Sequence, residues 1–493
     1  MSAFTGTGRW QGLPAHREAP AAPLSWRRPT WATQPLPLIE RVFELALLGL
    51  MLAYLLFDRA FAWLHIPGTP LFVGEMVMAL GLLAMLATRV RLERMANPPL
   101  VALLLFMAWG LLRGISGLPT YGFDAARDLA LCYYGLTAWF VAMLLFGREG
   151  RLWHWLDLYG RVIPWAVLWL GPALLLQDVF DGRPPFVPDS EVSIFAHKVG
   201  SIANHATLVL LFLWLFGRHR NQLSPRWRSI ITTVVVGVVC MSAIVNRGSF
   251  VSVAVGLAVL WLVDRRRVGA MVGRIIAIGV CLLVLGLLFD VRISMFSNDR
   301  EVSAQQFLAN VMSVIDPSGA NESLAGTADW RMQYWRRMIA DVRQNAPLTG
   351  LGFGVNLRVR YGEQDEQPPA RDAHNSHVGL YARTGLIGLG LWVLTWWVWF
   401  VHILRVRRAA VRHSDADRVN LAGWVLTAAV MMLVNAVFDP TLEGPQVAVW
   451  LWAIFGVGAA LVARPTAPRR AALDSNGAVD LTRPHAGRQR ITS

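Results

Sequence analysis

Runs of about 20 apolar residues recur along this chain, and they decide its fold class before any motif is considered. They fall near 38–57, 70–88, 98–114, 128–146, 156–177, 198–217, 229–246, 247–263, 270–290, 377–401, 420–438 and 445–463, which predicts about twelve transmembrane segments. Backbone groups in lipid must be satisfied inside each segment, so the expected fold is an all-α polytopic membrane protein. A chain of 493 residues that is 55% hydrophobic and only 16% charged fits that class better than a soluble one.

A net charge of +14 would suggest nucleic acid in a soluble protein. Here the arginines sit mostly in short loops, so topology accounts for them and no nucleic-acid partner is expected. One set of alternate connections holds roughly seventeen: Arg89, Arg91, Arg94, Arg148, Arg151, Arg218, Arg220, Arg226, Arg228, Arg265, Arg266, Arg267, Arg405, Arg407, Arg408, Arg412 and Arg418. The opposite short loops hold only Arg59, Arg113, Arg127, Arg183 and Arg247. By the positive-inside rule the first set is cytoplasmic, and so are both termini. The expected organisation is a disordered tail over 1–37, nine spans over 38–290, a large external loop over 291–376, three spans over 377–463 and a second disordered tail over 464–493. The first tail has no early apolar core and is no signal peptide. Cys132, Cys240 and Cys281 lie in apolar runs at unrelated spacing, so no disulfide or metal motif is expected.

The external loop is the one soluble region large enough to form a subdomain. Its start, FSNDREVSAQQFLANVMSVIDPSGANES, is polar and turn-rich and predicts only loose helix and loop. In DWRMQYWRRMIADVRQNAP, Trp335, Met338, Ile339 and Val342 recur at helical spacing, which predicts an amphipathic helix with Arg331 one turn before Trp335. Pro347 and the glycines of TGLGFG end that helix in a flexible hinge or turn. The GLGFG run follows a helix, not a strand, so it is no dinucleotide fingerprint. The stretch 355–373 carries prolines and mixed charge and reads as a mobile flap.

Lys198 and Arg247 stand at outer span ends, where ionisable groups are costly, and Arg331 lies outside on the amphipathic helix. Each has a plain alternative, as a surface, snorkelling or solvated charge. Taken together they suggest an anionic ligand, and arginine forks suit phosphate. His374 is either a helix-capping loop residue or a general base that titrates near neutrality. Asp372, His374 and His377 match no standard metal-ligand spacing, so no metal is expected. Glu40, Glu44 and Glu75 at membrane depth motivate a transporter alternative, although no repeat or paired broken helix accompanies them.

AHNSHVGLYARTGLIGLGLWV resembles the signature of the bacterial O-antigen ligase and polymerase family, in which a His-Asn pair precedes the span after a large periplasmic loop. WRMQYWRRMIADVRQNAPLTGLGFG, AsnArgGly at 246–248 and the interval from Gly200 to Asn204 also resemble family elements, and the likeness covers about residues 195–455. Asn246 stands where serine is usual, Lys198 where arginine is common, and His377 is not a family hallmark. The resemblance implies an inner-membrane, inverting glycosyltransferase working at the periplasmic face. Its donor would be an undecaprenyl-pyrophosphate-linked glycan, its acceptor another glycan or lipid A-core, and its partners otherwise membrane lipids. It would need no nucleotide sugar, metal or other cofactor. By that resemblance Arg247, Arg331 and Lys198 hold the pyrophosphate and His374 activates the acceptor hydroxyl, with Asn375, His377, Asn204 and Trp335 in support. A transporter or flippase of polyprenyl-linked sugars is the alternative from another class.

Overall fold

The computed structural model describes residues 36–88, 97–217, 223–294, 301–315, 322–361 and 371–462. The expected tails fall almost wholly outside the described residues, as do residues 362–370 of the expected flap. Among the described residues, seven helices are long and apolar enough to cross a membrane: Leu38–Ala62, Pro98–Tyr121, Glu149–Val179, Pro225–Val245, Val268–Leu288, Ser376–Arg412 and Ala416–Asn435. The bent pair Phe123–Tyr133 and Leu136–Leu145 raises this to eight, and Val73–Ala87, Val199–Leu215, Arg247–Val263 and Pro445–Leu461 are shorter apolar helices. The shorter ones owe their place to packing. Val199–Leu215 is buried from Gly200 through Leu213, so neighbouring protein, not lipid, surrounds it. At 17 residues it rises only about 26 Å, less than a hydrocarbon core of about 30 Å.

The helix Leu38–Ala62 marks the two ends of the bundle. Near its start Glu40 accepts from Arg148 at 2.7 Å, and Glu44 accepts from Arg151 and, at 2.5 Å, from the Trp155 indole. Arg418 with Glu149 and Arg407 with Asp264, both at 2.8 Å, join loops at that same end. Near its other end the carboxylate of Asp58 accepts from the Lys198 amide and from Ser201 Oγ, the latter at 2.8 Å. Asp58 thereby caps the helix Val199–Leu215 from a different element, supplying the partner its first turn lacks.

The segment opening on Arg292 is more ordered than its composition suggests. Arg292–Ser294 pairs antiparallel with Glu301–Ser303, and a helix Ala304–Ile315 follows. The amphipathic helix is present as Glu322–Asn345, but its buried stripe is Tyr334, Met338 and Val342, while Ile339 is 40% exposed. The phase turns because Tyr334 buries its ring and donates its hydroxyl to the Asp372 carbonyl at 3.1 Å.

The glycine turn is no hinge. The 37-residue helix Ser376–Arg412 breaks at Gly385, whose φ is +67°, a conformation that favours glycine. A continuous helix would bond the Leu386 amide to the Ala382 carbonyl and the Ile387 amide to the Arg383 carbonyl. Instead the Leu351 and Gly352 amides donate to those two carbonyls at 2.8 and 3.0 Å, and the Leu386 and Ile387 amides donate to the Pro347 and Leu348 carbonyls at 2.9 and 3.2 Å. The turn is spliced into the helix ladder, taking both sides of two broken bonds. Left unmade in an apolar surround, each such group would cost about 1–3 kcal/mol. A Cβ on Gly350 would stand 2.6 Å from the Thr384 amide, so a side chain there would force the splice apart.

Candidate active site

His374 has φ +50°, a left-handed conformation costing a non-glycine residue about 1 kcal/mol. Asp372 supports it, accepting the His374 amide at 2.8 Å and placing a carboxylate oxygen 3.6 Å from Nδ1. The next three residues have separate structural tasks. Asn375 Oδ1 accepts the His377 and Val378 amides at 3.0 and 3.1 Å, so Asn375, not His374, caps the helix. Ser376 ties that cap to the connection between the last two helices. Its amide donates to the Ala436 carbonyl at 2.8 Å, and its hydroxyl donates to Glu443 at 2.5 Å while accepting the Leu442 amide at 3.1 Å. His377 turns away, its Nε2 lying 3.0 Å from the Leu433 carbonyl.

Helix Glu322–Asn345 delivers Arg331 and the aromatic frame. Trp335 Nε1 donates to the Ala373 carbonyl at 2.7 Å, so its polar edge holds the His374 loop. Trp330 stacks on Tyr334 at 5.3 Å and meets the His374 ring edge-on at 5.9 Å. Arg331 Nη1 donates to the Phe438 carbonyl at 3.2 Å. On the bundle side, Asn246 caps its own helix through the Gly248 amide at 2.8 Å and reaches Asp439 Oδ2 at 3.5 Å. Gly248 leaves room for this approach, because a Cβ there would stand 2.6 Å from Phe438 Cβ. Half-buried Arg247 directly follows Asn246 as the first residue of helix Arg247–Val263.

These groups meet at a residue the sequence reading passed over, Asp439. Burial lifts its carboxyl above the usual range, opposed by Lys198, Arg331 and His374 and by the Asn246 hydrogen bond. Burial likewise lowers His374, reinforced by Arg331 and Arg358 and opposed by Asp372 and Asp439. A neutral imidazole therefore stands beside a cluster of cations. Lys198, Asn246 and Asn375 are also the N-caps of Val199–Leu215, Arg247–Val263 and Ser376–Arg412. Three positive helix ends thus face one turn, an arrangement suited to anions. Part of their amide capacity is already spent on caps, so side chains would carry most of the recognition. Glu443, half-buried behind Ser376, is raised by burial and then by Asp372.

The structure brings together Lys198, Arg331, His374 and Asn246, with Arg247 adjoining. Asn204 stands apart and accepts from Ser252 Oγ at 3.1 Å. The signal for Asp439 was a carboxylate in AVFDPTLEG, a short connection between two apolar runs at the arginine-poor end.

Residues 243–393 match the family model described as O-antigen ligase. Over that stretch the chain is similar to the O-antigen ligase family. The match takes in Arg247, Arg331, His374, Asn375 and the glycine turn, and stops short of Asp439. No curated protein matches the chain. The family's chemistry is glycosyl transfer on lipid-linked glycans in a membrane setting, and the helical, apolar fold accords with it.

Proposed function

We propose that this chain is a twelve-span inner-membrane glycosyltransferase that transfers or polymerises an undecaprenyl-pyrophosphate-linked glycan at the periplasmic face, with both termini cytoplasmic. The observation that carries the reading is the meeting of Lys198, Arg331, Asn246 and His374 at Asp439, with Arg247 alongside. Pyrophosphate is already a good leaving group, so the protein's main task is to place it and offset its charge. Arg247, Arg331 and Lys198 do this. His374, kept neutral by burial, takes the proton from the acceptor hydroxyl as its oxygen bonds the anomeric carbon. The carbon–oxygen bond to the pyrophosphate breaks on the opposite face, releasing undecaprenyl pyrophosphate and inverting the anomeric configuration. No step calls for a metal or a nucleotide sugar.

Incubating the purified protein with a defined lipid-linked donor and candidate acceptors tests this. Glycan transfer without ATP or an ion gradient is expected. Movement of the intact donor across a vesicle membrane, with no new glycosidic bond, would put a flippase in its place.

A further inference from the structure

The candidate site is assembled from two bodies. One is an arm, residues 322–361 and 371–384, carrying Arg331 and His374. The other is the bundle, carrying Lys198, Arg247 and Asp439. The arm is internally closed. At one corner Tyr334 and Trp335 hold the carbonyls of Asp372 and Ala373, and at the other the glycine turn is spliced into the helix between Ala382 and Ile387. Arg331 and His374 thus move together, and what matters is how the arm is set against the bundle.

Beside the splice lies a buried charged cluster that the proposed chemistry does not use. Arg383, 2% exposed, donates through Nη1 to Asp128 Oδ2 at 3.0 Å and to the Val355 carbonyl at 3.3 Å. The same Asp128 oxygen accepts the Gly354 amide at 3.2 Å and lies 3.5 Å from Arg371 Nη2. Arg371 also donates to the Gly354 carbonyl at 2.6 Å and pairs with Asp124 at 3.0 Å. Asp124 and Asp128 belong to the helix Phe123–Asp128 of the bundle, whereas every other member lies at the arm's inner end. Trp109 and Arg113 of Pro98–Tyr121 add bonds to the Thr384 and Gly350 carbonyls at 3.0 and 3.2 Å. Arg383 is seven residues from Ser376, about 10 Å along the helix, so it does not touch the reacting atoms.

We propose that Asp128 and Arg383 are positioning residues, a buried ion pair that fixes the arm bearing Arg331 and His374 against the bundle bearing Lys198, Arg247 and Asp439. A buried pair is a poor source of net stability, but it is directional, and removing one partner strands the other charge. This one joins side chain to side chain and side chain to turn backbone at a single oxygen, so it specifies an angle as well as a contact. Its consequence for turnover rests on the function proposed above. Its effect on the splice does not.

The test compares Asp128→Asn, Asp128→Glu and Arg383→Lys in detergent-purified full-length protein. Hydrogen exchange is followed over 346–354 and 382–387, with Ala416–Asn435 as the internal control. Asp128→Asn should speed exchange in the two spliced segments at least tenfold, leave the control unchanged and lower kcat per folded molecule about tenfold or more. Asp128→Glu, which keeps the charge, should restore both to within about threefold. The acid limb of the pH profile should stay in place, because no charge beside His374 has changed. If Asp128→Asn does not fold, Arg383→Lys keeps the charge and should show the same paired changes to a smaller degree. Wild-type exchange in the spliced segments of the variants overturns the inference, and so does faster exchange with undiminished kcat. A wild-type protein that transfers no glycan would defeat the proposed function alone, since the exchange comparison would still decide the ion pair.

Discussion

The two ends of the bundle use the same charged residue types in opposite ways. At one end carboxylates and arginines pair directly: Glu40 with Arg148, Glu44 with Arg151, Asp264 with Arg407, and both Glu149 and Asp415 with Arg418. At the other end Asp439 accepts from Asn246 at 3.5 Å and feels the charges of Lys198 and Arg331, while Asp58 and Asp372 accept from the backbone amides of Lys198 and His374. Carboxylates spent on direct ion pairs leave little field for a ligand, whereas carboxylates engaged by amide N–H groups leave Lys198 and Arg331 able to answer an anion. In a chain so rich in arginine, the way cations are paired with carboxylates separates scaffold from site better than the presence of arginine does.

The largest test of that contrast is all or none. Reporter fusions near 92, 222 and 410 should score cytoplasmic and fusions near 185 and 330 periplasmic, from the loop charge asymmetry. A cytoplasmic score at 330 would put the Asp439 end on the wrong side for the proposed donor.

Next in size, His374→Ala should lower turnover by about 10²–10⁴, the usual contribution of a positioned base. Full activity in this variant would remove the mechanism. Arg247→Lys and Arg331→Lys should each lose on the order of 10² in turnover, since a point charge does not reproduce a guanidinium fork on phosphate. At the paired end, Arg148→Lys and Arg418→Lys should stay within about threefold. Equal losses at both ends would mean that the pairing says nothing about function.

How much of this was legible in the sequence follows the physics of each signal. The helices were readable because burial in lipid demands long apolar runs, and every expected run has a helix over it, although only seven of the described helices, or eight with the bent pair, are long enough to cross a membrane. His374 and Arg331 stood out as polar groups at the margin of such runs. Glu40 and Glu44, which motivated a transporter, gave no hint of the arginines more than 100 residues away that pair with them. Asp439 was hidden for the same reason: its partners come from four separate segments. The splice was hidden too, because Thr384 and Gly385 read as ordinary small residues in a span. Only the backbone shows that Gly385 turns left-handed and hands two amides and two carbonyls to another segment.

A finer test uses pH. The base acts in its neutral form, and burial holds its pKa below the ordinary imidazole value, so turnover should fall only as pH drops below about 6.5. Asp372 favours the imidazolium, so Asp372→Asn should move that limb to still lower pH. A limb that stays put or moves upward would mean another group carries it. The smallest effects are expected at His377, whose ring is engaged with the Leu433 carbonyl. His377→Ala should remain within about threefold of wild type, and chelator should change nothing. Loss of activity with chelator would revive a metal centre at Asp372 and His374.

Lys198 has one further consequence. It is the only lysine in the chain, every other basic side chain of this class being arginine, and it sits where the charge of Asp439 is shared. Side-chain amine chemistry therefore has a single address in the whole protein, inside the candidate site. A reagent that acylates or reductively methylates amines has Lys198 as its one side-chain target, to be read apart from the α-amine by peptide mapping. The degree to which a donor analogue slows that labelling is a direct gauge of whether the cradle is occupied.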